Sequence, residues 1–175
     1  MKTELIFDLE TTGLLRKGSQ IHCIVSRDLS DPDTAMVYDH QPERALLKGV
    51  HQIMDADLLV GHNILNFDIP LLKERYPDLD PKGKKIDTLV LSRLYYPHIR
   101  DRDFERQPEG MPIKLYGSHS LQSWGYRLRC FKGDYGKQTN AWDNYTPEML
   151  EYCKQDTLVT HMLYLHLANR MNNHG

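Results

Sequence analysis

Apolar positions along this chain switch between two spacings, and the switches divide it into elements. Leu5, Ile6 and Phe7 form an apolar run within Glu4–Glu10. With Gln20–Arg27 and Ala35–Tyr38 this segment predicts three strands, and Asp31, Pro32 and Asp33 mark a turn before the third. Strands in succession predict a β-meander. Leu46, Leu47, Val50, Ile53 and Met54 then recur at helical spacing and lead into the apolar run Leu58, Leu59, Val60, Gly61, so a helix feeds a further strand. Ile69–Tyr76 reads as a short helix starting at Pro70, a residue a first turn accepts, with Pro77 just past its end. Thr88–Tyr96 predicts another helix; Asp87, at the strand-to-helix junction before it, competes for a role as a fifth acidic site residue but fits a helix cap better. Pro97–Tyr116 is charged and carries proline and glycine, so it reads as a long loop near the substrate. Ser118 is expected to cap a helix through about Tyr126, and Thr146-Pro147-Glu148 to open a final helix reaching about Met171. This order of elements predicts an α/β fold, a mixed β-sheet flanked by helices, with the site at one edge of the sheet.

The 175 residues fit a single domain spanning 1–175, and no second catalytic domain is expected. With 40% hydrophobic and 26% charged residues the composition is that of an ordinary globular protein. No apolar run approaches the 18 or so residues of a membrane span, and Met1-Lys2-Thr3-Glu4 does not open a signal peptide, so a cytoplasmic location is expected, the host cytoplasm for a phage-encoded protein. Three cysteines without C-x-x-C spacing exclude a disulfide framework and a zinc knuckle; Cys23 and Cys153 are expected reduced in the core. The net charge of −2 is unusual for a nucleic-acid binder. Its distribution changes the picture: twelve lysines and arginines lie between Lys82 and Lys137 against six acids. They form either a basic flank or an ordinary solvated face.

Three separated segments carry the candidate chemistry: Asp8-Leu9-Glu10, Asn66-Phe67-Asp68, and Tyr152-Cys153-Lys154-Gln155-Asp156. On a strand, residues two apart point the same way, so Asp8 and Glu10 share a face. On a helix a spacing of four places Tyr152 beside Asp156. Four carboxylates in one cavity raise one another's pKa unless counter-charge is supplied. Hard oxygen donors of this kind favour Mg2+ or Mn2+. Two such ions roughly 3.5–4 Å apart clamp the attacking and leaving oxygens of an in-line phosphoryl displacement, so the cluster predicts metal-dependent phosphodiester hydrolysis. Each segment has a plainer alternative: a solvated strand end for Asp8 and Glu10, a helix cap for Asp68, surface decoration for Tyr152 and Asp156. Their conjunction favours a site. His62 and Asn63 can touch phosphate or sugar or make structural hydrogen bonds, and Trp124 and Tyr126 fit a core role better than base stacking.

Together these motifs resemble the DEDD superfamily of 3′-to-5′ exonucleases, tyrosine subtype. Asp8-Leu9-Glu10-Thr11-Thr12-Gly13-Leu14 resembles its first motif, Gly61 to Pro70 its second, and Tyr152-x-x-x-Asp156 its third. The histidine subtype would place histidine where Glu151 stands. Ile86–Leu94 and Gly117–Leu128 are further similar to the proofreading domain of T-odd bacteriophage family A DNA polymerases. The resemblance implies a ribonuclease-H-like version of the α/β fold and a DNA-directed 3′-to-5′ exonuclease releasing nucleoside 5′-monophosphates. It further implies that Asp8, Glu10 and Asp156 hold the ion that activates water, that Asp8 bridges to a second ion also served by Asp68, and that Tyr152 orients the water. A phenol with a reference pKa near 10 is a poor general base. Leu14 would wedge beside the terminal base, Thr11 would lie near the terminal nucleotide, and Asn63 is a further substrate-binding candidate. The expected partners are single-stranded DNA 3′ ends and a DNA polymerase lacking its own editing domain, with no membrane. The chain is read as a stand-alone editing nuclease or a piece of a longer polymerase. Trimming of RNA 3′ ends and a catalytically silent nucleic-acid-binding accessory module are the alternatives.

Overall fold

In the computed structural model, residues 2–12, 18–130 and 143–173 are described. Strands β1 (Glu4–Thr11), β2 (Ile21–Asp28), β3 (Asp31–Tyr38), β4 (Leu58–Gly61) and β5 (Lys84–Asp87) form one sheet in the order β3-β2-β1-β4-β5. The pairs β1·β2 and β2·β3 are antiparallel, whereas β1·β4 and β4·β5 are parallel. Helices α1 (Leu46–Asp55), α2 (Asp68–Arg75), α3 (Thr88–Tyr95), α4 (Ile99–Arg106), α5 (Leu121–Arg127) and α6 (Pro147–Asn173) flank it. The expected mixed α/β sheet is therefore present.

Alternation along β1 decides what each face of the sheet holds. Leu5, Phe7 and Leu9 pack in the main core with Val50 and Ile53 of α1 and Leu71 and Leu72 of α2. Ile6, Asp8 and Glu10 therefore face the opposite side. There Cys23, paired with Glu10 in the β1·β2 register, clusters with Cys153 of α6. The register shifts between Glu10 and Thr11, so the strand ends in a bulge just where its carboxylates are presented. Cys23 and Cys153 are both free thiols and fully buried, as expected.

Helix α6 is seated by two interactions of different kinds. Its C-terminal half buries Val159, Leu163 and Leu167 against Tyr96, Ile99, Leu121 and Trp124. Burial of this kind is worth about 1.5–3 kcal/mol for each large apolar side chain. Nearer the site, the Arg27 guanidinium reaches across from β2, donating from Nε to Thr157 Oγ1 at 2.9 Å and from Nη2 to the Lys154 carbonyl at 3.1 Å. Trp124 is core, as its helical position predicts.

Several sequence expectations need correction. Asp31, Pro32 and Asp33 begin β3 rather than forming the turn; the reversal falls at Leu29 and Ser30, where Asp28 Oδ1 accepts from the Ser30 amide at 2.8 Å. Pro32 is tolerated because β3 is an edge strand. The stretch 97–116 is not a continuous loop but contains α4 and a 3-10 turn at 113–115. Helix α5 is capped by Ser120, which accepts from the Ser123 amide, and not by Ser118, whose hydroxyl instead donates to Ser120. Among the described residues, no helix is long and apolar enough to cross a membrane.

Candidate active site

The end of β1, the start of α2 and the first half of α6 close around a cavity of about 200 Å³. Asp8, Leu9, Glu10, His62, Asn63, Phe67, Asp68, Tyr152 and Asp156 line it. All four expected carboxylates and the expected tyrosine are thus brought together from three segments. The two-residue spacing on β1 and the four-residue spacing on α6 each place their pair on the cavity wall, as those periods require.

Burial and hydrogen bonding differ among the carboxylates. Glu10, Asp68 and Asp156 are buried, while Asp8 is half-buried. Asp68 is the first residue of α2, and its Oδ1 accepts from the Leu9 amide of β1 at 3.2 Å. That bond ties the second motif to the first. Burial pushes the Asp68 carboxyl up to about 7; amide donation from Asp68 itself and from Leu9 opposes the rise, and Asp87 adds to it. A carboxyl so placed gains from a nearby cation.

Asp87 has the structural role expected of it. Its carboxylate accepts from Leu89 and Val90 to cap α3, and from the amides of Asn63 at 2.9 Å and Leu65 at 3.1 Å. These last two bonds hold the loop that carries Asn63 to the cavity. Asn63 is left-handed at φ +65°, a conformation Asn tolerates better than most residues. Gly61 precedes this loop at a point of close approach, since a Cβ there would stand 2.1 Å from the Ile64 side chain. His62 contacts Thr88 Oγ1 through Nδ1 at 2.9 Å, and Thr88 in turn donates to the Gly61 carbonyl.

One neighbour of the site was read from sequence only as core. Cys153 Sγ lies 3.7 Å from Asp8 Oδ2, and the possible donor atoms of Asp8, Glu10 and Cys153 all lie within 4.8 Å of one another. Its position between Tyr152 and Asp156 on α6 was the available signal. Burial, first, then Cys23 and the nearby carboxylates push the Cys153 thiol up, so it stays protonated at neutral pH and is a poor metal ligand. The remaining donors are hard oxygens, a set that fits Mg2+ or Mn2+. Thr11 is buried at the end of β1 and does not line the cavity, while Leu14 lies outside the described residues.

A groove of about 610 Å³ continues from the cavity, sharing Asp8, His62, Asn63 and Asp156 and running past Leu89 and Arg93 of α3 to Gly117, His119 and Leu121. His119 is held neutral near pH 7, its pKa lowered by burial and then by Arg127 and Arg93. The arrangement is a small acidic cavity at one end of a longer open groove.

Comparison with known proteins locates this arrangement. Residues 15–111, more than half of the chain, match the model of the exonuclease domain of DNA polymerase family B. That stretch includes Asp68 but not the first or third motif. Over 91% of its length the chain is 33% identical to the DNA-directed DNA polymerases of Enterobacteria phage T3 and Escherichia phage T7, and it spans 26% of each of them. Among solved structures, Brucella melitensis NrnC with bound Mg2+ superposes with a TM-score of 0.65 at 19% identity, covering 99% of this chain and 76% of that one. Escherichia coli RNase D, an exoribonuclease, superposes at 0.61 and 15% identity over 98% of this chain and 40% of its own. At such identities these structures establish the ribonuclease-H-like fold alone.

Proposed function

The chain belongs to the family of the DNA polymerase family B exonuclease domain, and from that premise we propose that it is a 3′-to-5′ exonuclease that shortens single-stranded or frayed DNA 3′ ends, releasing nucleoside 5′-monophosphates. The observation that carries this reading is the convergence of Asp8, Glu10, Asp68, Asp156 and Tyr152 on one cavity of about 200 Å³. DNA is favoured over RNA because the 33%-identical relatives are DNA polymerases. A polymerase without an editing domain, or polymerase sequence continuous with this chain, is the partner such a nuclease would serve.

Asp8, Glu10 and Asp156 would hold one divalent ion, and Asp8 with Asp68 a second. Such ions lower the pKa of water and offset charge on a phosphodiester. The chain's own residues do the rest. Tyr152, half-buried on the cavity wall, orients the attacking water through its hydroxyl. The attacking water gives a proton to solvent, and its oxygen bonds to phosphorus as the bond from phosphorus to the neighbouring 3′-oxygen breaks. That oxygen leaves with a proton from solvent, and the terminal nucleotide departs as its 5′-monophosphate. Asn63, which lines both cavity and groove, contacts the terminal nucleotide in this reading. Leu14 keeps its assignment beside the terminal base from the motif alone, and Thr11, buried behind the cavity wall, its assignment near the terminal nucleotide. Because the cavity is narrow, a paired end must fray to enter, at a cost of a few kcal/mol.

The test compares matched DNA and RNA oligonucleotides, together with duplexes whose 3′ terminus is paired or mismatched, in Mg2+. Faster trimming of DNA and of the mismatched end is expected. Preference for RNA would make the chain an RNA 3′-end trimming enzyme, and cleavage of neither would make it a silent binding module.

A further inference from the structure

A concentration of positive charge lies away from the carboxylates, in a pocket of about 450 Å³ between α4, α5 and the end of α6. Arg102, Arg106, Arg127, Arg129 and Arg170 line it, against Asp103 and Glu109. Asp103 is already engaged: Arg127 donates to it from Nε at 2.8 Å and from Nη2 at 2.7 Å. Arg102, Arg106, Arg129 and Arg170 make no ion pair among the described residues. Arg127 Nη1 is buried and unpartnered there, on a side chain only 9% exposed. Five guanidiniums around one pocket repel one another, and a buried donor without an acceptor is costly. Both facts point to an anion that completes the pocket.

The aromatic residues identify which part of a nucleotide is recognised. The Tyr96 ring is in contact with the guanidiniums of Arg102 and Arg170, at 5.0 and 4.7 Å from its centroid, and Trp124 with that of Arg127 at 5.0 Å. Tyr96 and Trp124 also pack edge to face against each other. Their faces therefore hold arginines and are not open to bases. Guanidiniums fixed in this way present forked donors suited to phosphate oxygens.

Position ties the pocket to the nuclease groove. Asp103 Oδ2, in the pocket wall, accepts from the amide of Gly117, which lines the groove leading from the carboxylate cavity. Along α6, Arg170 lies 14 residues beyond Asp156, just under four turns, on nearly the same helical face and roughly 21 Å away. We propose that this pocket binds backbone phosphates of the DNA strand upstream of the 3′ end, as a second anchor that makes binding depend on strand length. The assignment rests on the nuclease reading given above.

The test measures binding by fluorescence anisotropy of a 5′-labelled dinucleotide and an oligothymidylate of about ten residues, with EDTA present so that the strand stays intact. Each lost phosphate contact on a single strand lowers the slope of log affinity against log salt by about 0.7. For the variant R102Q/R106Q/R170Q the slope for the longer strand is expected to fall by roughly two, with at least about a tenfold loss of affinity, removing most of the advantage of the longer strand over the dinucleotide. R106Q/R129Q leaves the ring-stacked arginines in place and is expected to lower the slope by roughly 1.4, which guards against misfolding as the cause. Wild-type slope and length dependence in both variants would overturn the proposal. So would binding of thymidine 5′-monophosphate that the substitutions weaken while strand affinity stays as in the wild type. Degradation of the longer strand by the wild type in Mg2+ is measured alongside: if it occurs while the variants bind as wild type, only the pocket assignment fails, and if it does not occur, the nuclease reading fails with it.

Discussion

Asp68 shows how one residue couples the site to pH. In the metal-free folded protein burial holds its proton up to about pH 7, whereas its ordinary value is 3.8. Between those values the folded state binds more protons than the unfolded chain, so Asp68 makes stability fall as pH rises through the window. Asp68→Asn carries no titrating group and is expected to flatten that part of the melting-temperature profile in EDTA; an unchanged profile would remove the shift. Binding of Mg2+ should displace the proton, so affinity should increase as pH rises toward 7, and this dependence should weaken in the variant. Asp8→Ala is expected to abolish hydrolysis while the circular dichroism spectrum and a cooperative melt are retained, because its carboxylate faces the cavity and not the core. Tyr152→Phe keeps the ring and loses the hydroxyl, for which a smaller loss of about 10²-fold in kcat is expected. The same-face pairs Asp8 with Glu10 and Tyr152 with Asp156 were legible because local period alone fixes them. The Leu9-to-Asp68 bond and the Cys153 contact with Asp8 were not, since each depends on how β1, α2 and α6 meet in space.

At the scale of elements, α6 serves both the site and the core. Its first half is fastened by Arg27 and its second by apolar packing. Leu163→Ala is expected to cost about 2–5 kcal/mol in chemical denaturation. Arg27→Ala removes a buried donor set from Thr157 and the Lys154 carbonyl, and about 2–4 kcal/mol is expected together with weakened activity, because the turn that bears Asp156 loses its brace. Strands β1, β2 and β4 and helices α1, α3 and α6 were legible from their apolar periods. Helix α4 was not. Only Ile99 and Asp103 of its eight residues are buried, so it has almost no apolar stripe to detect. What holds it is the Asp103 pairing with Arg127 and the Gly117 amide, partners 24 and 14 residues away. The start of β3 was misread for a related reason: Pro32 signals a turn locally, and only the sheet order reveals an edge position where proline is accepted.

For the whole molecule, an acidic cavity, an open groove and an arginine-lined pocket succeed one another across α3, α4, α5 and α6. The net charge of −2 averages over this polarity and conceals it. The density of basic residues between Lys82 and Lys137 was legible in the sequence, but the gathering of five arginines from three helices and their flanks was not. Replacing Mg2+ by Ca2+ is expected to suppress hydrolysis, since its looser coordination suits in-line displacement poorly; equal rates in a single-turnover assay would argue against a two-ion site. The most direct test follows a 5′-labelled single-stranded DNA oligonucleotide over time with the wild type and Asp8→Ala, each in Mg2+ and in EDTA. A ladder that shortens from the 3′ end only with the wild type in Mg2+ is the expected result. A ladder that persists in EDTA or with Asp8→Ala would contradict the assignment of this cavity as the metal-dependent nuclease site.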